Sequence, residues 1–155
     1  CSAPIFSIPV YNQSLAYARL IDHAGENDSL GKACKKVVDS MIQFPEMIAG
    51  TDRYCTDLMK ACRGAVIGKT GADGIYSVAF TKTAIGLTIK MEDGTMGPQY
   101  LVAQNILDKS SFIDEAAKEK LKGYREKPIK NWNRFETGKE EIVEDSLSSF
   151  NSYFV

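Results

Sequence analysis

Ile75-Tyr-Ser-Val-Ala-Phe80 and Ile85-Gly-Leu-Thr-Ile-Lys90, joined by Thr81-Lys-Thr-Ala84, decide how the rest of the chain is read. Both runs favour strand, and Ile85, Leu87 and Ile89 alternate cleanly with other residues. Period two predicts two strands, and the short polar link predicts an antiparallel hairpin. On either side the apolar residues recur at helical spacing instead. Tyr11, Leu15, Ala18 and Ile21 predict a helix over 11–24, broken by the turn residues Gly25–Ser29. Leu30, Cys34, Val37 and Met41 predict a second helix, whose extension Pro45 limits. Thr51 or Asp52 is the expected cap of a third helix running to about Cys62.

Downstream of the hairpin, Glu92-Asp93-Gly94 reads as a turn. A helix is expected over about 98–108 and another from Ser111, where Ser111 and Asp114 approximate a capping box. Lys122–Gly138 reads as a polar loop containing aromatics. The tail from about 139 is expected to add one strand that pairs with the hairpin. Cys1–Val10 holds two prolines and reads as an extended entry segment. Three helices, a hairpin, two helices and a last strand predict an α+β fold: one antiparallel sheet packed with helices, a single domain over residues 1–155.

Nineteen Lys and Arg stand against twenty Asp and Glu, a net charge of −1. Nucleic-acid binders carry a basic excess or stripe, so nucleic acid is not an expected partner. No apolar run approaches the roughly 20 residues needed to span a bilayer, and no polybasic patch suggests a membrane surface. No basic-then-apolar leader is visible. Residue 1 is Cys rather than Met, so a processed product or a piece of a longer protein is expected.

The four cysteines, Cys1, Cys34, Cys55 and Cys62, form no CxxC pair, and His23 is the only histidine. A self-contained Cys/His zinc site and a Cys–His catalytic pair therefore lack support. Cys34 and Cys62 fall on apolar helical positions and read as small buried hydrophobes in a reducing, cytoplasmic compartment.

Three segments carry candidate chemistry. Gly64-Ala-Val-Ile-Gly68-Lys69-Thr70 hints at a phosphate loop, but three residues separate the glycines where that loop needs four. Lys69-Thr-Gly71-Ala72-Asp73-Gly74 is more informative. Its glycines allow close backbone approach to a small ligand, and its apolar flanks predict a partly desolvated Lys69 able to shuttle protons. The alternative is a glycine turn with a solvated lysine. Arg53, at a helix start, is placed to clamp a carboxylate, or else belongs to a cap with a surface salt bridge. Cys1, if a true terminus, joins thiol and amine on one residue, as in N-terminal nucleophile hydrolases.

Taken together the chain resembles the C-terminal half of the bacterial L-asparaginase II family, the one akin to the Rhizobium inducible asparaginase. Cys1-Ser-Ala-Pro4 is similar to the family's Cys-Gly-Ala-Pro, and Ala16-Tyr-Ala-Arg-Leu20 follows it as in the family. Pro45 to Met59, Lys69 to Ile75 and Gly86 to Gly94 match three further family motifs in the right order. The chain departs at Phe44, where the family usually has His, and at Met96-Gly97-Pro98, where it tends to have Arg-Ala.

The resemblance implies part of a serine-β-lactamase-like fold and hydrolysis of L-asparagine with release of ammonia. It implies a serine nucleophile upstream, with a lysine three residues on, so a missing N-terminal half or a partner chain is expected. It assigns a catalytic role to Lys69 and a zinc-ligand role in some members to Cys1, the other zinc ligands lying upstream. Gly71, Ala72, Asp73 and Gly74 are expected to bind substrate, with Arg53 on its α-carboxylate. A homo-oligomer is expected. Two other readings stand beside this one: an N-terminal-cysteine amidohydrolase using Cys1, and a non-enzymatic module that binds a small amino acid.

Overall fold

The computed structural model describes residue 2, residues 4–143 and residues 146–148. Helices α1 (Val10–His23), α2 (Ser29–Gln43), α3 (Pro45–Ala49) and α4 (Tyr54–Cys62) precede strands β1 (Val66–Thr70), β2 (Ile75–Phe80) and β3 (Ile85–Lys90). Helices α5 (Pro98–Lys109) and α6 (Glu115–Lys120), a 3-10 turn at Lys122–Tyr124 and strands β4 (Lys127–Lys130) and β5 (Glu136–Glu140) follow. The class is α+β as expected.

The predicted hairpin is present, with Val78 opposite Leu87 and Phe80 opposite Ile85. The third strand of this sheet is not the tail. It is β1, antiparallel to β2 with Ile67 opposite Ala79 and Lys69 opposite Ser77. Ala65-Val-Ile is the apolar flank that precedes the Lys69 segment, and it becomes a strand through its contact with β2. Strand β5, which reaches only the first two residues of the tail, pairs with β4 in a separate two-stranded ribbon, mostly inside the stretch expected to be loop, while residues 144, 145 and 149–155 of the tail lie outside the described residues.

Cross-strand partners share a face. Val66, Gly68, Tyr76, Val78, Phe80 and Leu87 therefore point one way, toward α4 and α5. Tyr76 stacks against Tyr54 of α4 and Tyr100 of α5. Ile67, Lys69, Ser77, Ala79, Gly86 and Thr88 point the other way, toward α1. Gly86 is required there: a Cβ would lie 2.0 Å from the Ser14 carbonyl oxygen. With helices on both faces, β2 is buried at five of six positions. Leu58, Met59, Ile67, Tyr76, Phe80 and Leu107 are the heart of the core.

Several helix boundaries differ from expectation. The buried face of α2 carries Gly31, Val38 and Met41, while Leu30 and Val37 are exposed and Cys34 is half-buried. Gly31 sets this rotation, because any Cβ there would meet the Glu26 carbonyl at 2.3 Å. Tyr11 of α1 is likewise exposed. Neither Thr51 nor Asp52 caps α4. Arg53 occupies that position without a side-chain cap bond. Thr56 ties the helix head back instead, its hydroxyl donating to the Gly50 and Pro45 carbonyls at 2.6 and 3.2 Å. The true caps are Asp28 for α2 and Asp114 for α6, each accepting a backbone N–H at 2.7 Å. Helix α6 thus starts after Asp114, five residues beyond Lys109, where α5 ends.

Candidate functional site

Strand β1 ends at Thr70, and residues 71–74 turn the chain back into β2. The Gly71 N–H donates to the Ile75 carbonyl at 3.0 Å. The Thr70 hydroxyl reaches the Gly71 and Ile75 carbonyls, both at 3.3 Å. Asp73 and Gly74 both take the left-handed backbone, at φ +54° and +68°. Gly74 has no room for a side chain, since a Cβ would lie 2.7 Å from Met91 Cβ and from the Thr95 carbonyl.

The neighbouring segment clamps this turn from the side. The Lys90 ammonium donates to the Asp73 carbonyl at 2.7 Å and to the Met91 carbonyl at 2.5 Å. The Met91 N–H donates to the Gly74 carbonyl at 2.8 Å. The Gly74 N–H points at Met96 Sδ, 3.2 Å away. The predicted turn at Glu92-Asp93-Gly94 is held by Asp93, whose carboxylate accepts the Thr95 N–H and hydroxyl at 2.9 and 2.6 Å. Gly71 and Gly74 thus shape the turn with their amides engaged. The amides of Ala72 and Asp73 make no hydrogen bond among the described residues, and both residues are exposed. They are two adjacent donors open to an anion or a carbonyl.

Lys69 stands beside the turn at the end of β1. It is exposed, and its ammonium donates to the Thr70 carbonyl at 2.7 Å. The expected partial desolvation is not found on this surface, because Lys69 lies near the end of an edge strand. Its cross-strand neighbours are polar. Ser77 opposite Lys69 hydrogen-bonds Thr88 across the sheet at 3.0 Å. Gln13 of α1 reaches Ser77 at 3.5 Å. This row of Lys69, Ser77 and Thr88 was not singled out from the sequence. Its signal was a lone serine inside the apolar run Ile75–Phe80.

Arg53 is exposed at the head of α4, and its guanidinium has no hydrogen-bond or ion-pair partner among the described residues. The surface salt bridge weighed for it is not formed. Two residues on, Cys55 turns inward and is 1% exposed. Burial pushes its thiol up, while the Thr70 N–H, the Tyr76 hydroxyl and the Lys69 charge pull the other way. Cys55 is thus a buried thiol near the end of β1, a position the sequence does not single out. The Tyr76 hydroxyl is buried without a well-aligned hydrogen-bond partner. It sits where a side chain on Gly68 would go, 2.4 Å from that Cβ position.

Cys1 lies outside the described residues. Among the described residues no three His, Cys, Asp or Glu side chains cluster to hold a metal. Cys62 is buried, and burial together with the Asp114 charge raises its thiol to about 12, so it persists as a neutral thiol rather than a metal-binding thiolate. The described residues do not by themselves fit a zinc ion. Among them no helix is long and apolar enough to cross a membrane.

A search of curated proteins finds no match. The family model described as L-asparaginase II matches residues 1–142, nearly the whole of the described structure, including the Lys69 turn, the Arg53 helix head and the Gly86–Gly94 clamp. The chain belongs to the L-asparaginase II family, and with it to the asparaginase-like amidohydrolases.

Proposed function

We propose that this chain supplies the C-terminal part of an enzyme that hydrolyses L-asparagine to L-aspartate and ammonia. The observation that carries the reading is the family match over residues 1–142. The turn supports it chemically. Amide hydrolysis through an acyl-enzyme needs a nucleophilic hydroxyl, a group that moves its proton, and donors for the oxyanion. In this reading a serine upstream of Cys1 is the nucleophile. Lys69 takes up the serine proton in its neutral form and returns a proton to the departing ammonia. Its ammonium is held by one main-chain carbonyl on an exposed strand end, so it is free to swing. Docking of the upstream half over β1 supplies the desolvation this surface lacks.

The free amides of Ala72 and Asp73 face a short polar substrate, in a turn shaped by Gly71 and Gly74. Arg53, without a partner, holds the substrate α-carboxylate as a two-pronged donor. Cys1 contributes to a zinc site only together with upstream ligands, as part of the same proposal. The described cysteines Cys34, Cys55 and Cys62 are free thiols, which supports a reducing, cytoplasmic compartment.

The test is ammonia release from L-asparagine by the full product of the reading frame. Lys69→Ala is expected to lower kcat by about 10²–10⁴ with the fold intact by circular dichroism. Arg53→Ala is expected to raise KM more than it lowers kcat. Unchanged turnover in Lys69→Ala overturns the role of Lys69, and a full product inert toward L-asparagine overturns the reading.

A further inference from the structure

Met96 stands in the stretch where the chain departs from the family's motif, so no role comes to it from that resemblance. Its side chain nevertheless joins two segments. The thioether sulfur accepts the Gly74 N–H at 3.2 Å and faces the Gln99 carboxamide nitrogen at 3.8 Å. Gln99 is fully buried in the first turn of α5. Its Oε1 accepts the Gly97 N–H at 2.6 Å, which pins the backbone beside Met96. One sulfur thus stands between a donor from the Lys69–Gly74 turn and a donor from α5.

The peptide unit it holds is the one that governs the turn. The Asp73–Gly74 peptide carries the Asp73 carbonyl and the Gly74 N–H, which point in opposite directions in a trans peptide. Lys90 donates to that carbonyl at 2.7 Å, and Met96 takes that N–H. Both ends of one peptide plane are therefore held. Without the holds the plane would turn easily, because glycine accepts either sign of φ. Asp73, at φ +54°, keeps a conformation that persists only where its surroundings fix it. Lys90 is exposed, so the thioether, backed by a buried carboxamide, is the firmer hold. The other end of the turn is closed by the Gly71 N–H on the Ile75 carbonyl. The open amides of Ala72 and Asp73 lie between these two ties.

We propose that Met96 is a positioning residue for this turn. By holding the Gly74 N–H it keeps the Asp73–Gly74 peptide in one orientation and aims the Ala72 and Asp73 amides at the substrate. The substrate named here rests on the hydrolase reading, while the hold on the turn stands on the geometry alone. A thioether is a weak acceptor, so the contact sets orientation more than stability. Glutamine at this position ends in a carbonyl oxygen and can take over the acceptor. Leucine is apolar and cannot.

The test compares Met96→Leu and Met96→Gln in the full product of the reading frame. Amide hydrogen exchange of residues 71–75 is followed by mass spectrometry, beside steady-state kinetics with L-asparagine. Met96→Leu is expected to speed exchange in the turn about tenfold while β2 exchanges as in the parent. It is expected to raise KM about three- to tenfold with kcat little changed, the effect of one misdirected hydrogen bond on binding. Met96→Gln is expected to bring both quantities back toward the parent. Turn exchange that is unchanged in Met96→Leu, or equal in the two variants, overturns the hold. Faster turn exchange with KM unchanged overturns the positioning role. Faster exchange throughout the sheet marks a general loosening and also overturns it. A parent product inert toward L-asparagine overturns the hydrolase reading and the substrate named here, and the exchange result still upholds or overturns the hold.

Discussion

Strand β2 and the β4–β5 ribbon are both built from antiparallel pairing, and their backbones are satisfied in the same way. Beyond that they diverge. Every second residue of β2 faces α1 and the others face α4 and α5, so both sides are packed. Among the described residues no helix covers the ribbon beyond its root, where Tyr100 and Leu101 of α5 come near Pro128 and Glu140. Its side chains pair with one another instead, Lys127 with Glu140, Lys130 with Glu136, and Lys139 with Glu126 and Glu141. Exposed ion pairs of this kind contribute about 0–1 kcal/mol each. A two-stranded ribbon without an apolar face is marginal by itself. Strand pairing therefore sets the direction of the chain, while cover from helices or another molecule decides whether a strand pair adds stability.

The largest expected effect lies at Phe80, which is 2% exposed and stacks on Phe112 at 4.3 Å between ring centres. Phe80→Ala is expected to cost about 3–5 kcal/mol in urea denaturation. A cost below about 1 kcal/mol would break the contrast at its strongest point.

The next expectation concerns alkaline pH. Burial raises Tyr17 to about 12 and Cys62 also to about 12, from ordinary values of 10.0 and 9.0. Burial pushes Tyr54 and Tyr76 well up too. In each case the folded state keeps the proton that the unfolded state gives up. Their contribution is whole below pH 9 and is lost as pH rises through 9 to 12. Stability falls by up to about 1.4 kcal/mol per pH unit for each such group. Urea midpoints measured from pH 8 to 11 are expected to drop steadily, and Tyr17→Phe to flatten the drop. A flat profile would mean these groups are hydrated.

A smaller loss is expected at Gly86, where α1 lies directly on β3. Gly86→Ala would force the Ser14 backbone away from a 2.0 Å contact, at about 1–3 kcal/mol. The smallest effect is in the ribbon. Lys130→Ala removes a 3.6 Å pair between half-exposed side chains, and the expected change is within about 0.5 kcal/mol. A large loss there would show that the ribbon is packed against something in solution, which would break the comparison at its exposed end.

Much of the candidate site was legible. The Lys69–Gly74 segment, Arg53 and the turn at Glu92–Gly94 all stood out, because glycines and charged residues between apolar runs mark places where the chain leaves the core. The grip of Lys90 and Met96 on the turn was not legible, since those contacts join segments some twenty residues apart. Cys55 was missed for a related reason. Nothing in its local sequence separates a buried cysteine near the Lys69 strand from one elsewhere in the core.

The sequence by itself determined the β2–β3 hairpin, through the alternation of Ile85, Leu87 and Ile89, and the existence of α1, α2, α4 and α5, through helical spacing. It also determined the family, because four motifs keep their residues and order. Only the tertiary structure decided that Val66–Thr70 is a strand, that Glu136–Glu140 pairs with Lys127–Lys130 rather than with the hairpin, and that Lys69 ends on an exposed edge. Alternation and helical period are written within about a dozen residues. Strand partners and burial depend on what lies across the fold, where Gly68 leaves room for Tyr76 and Gly86 lets α1 settle onto the sheet.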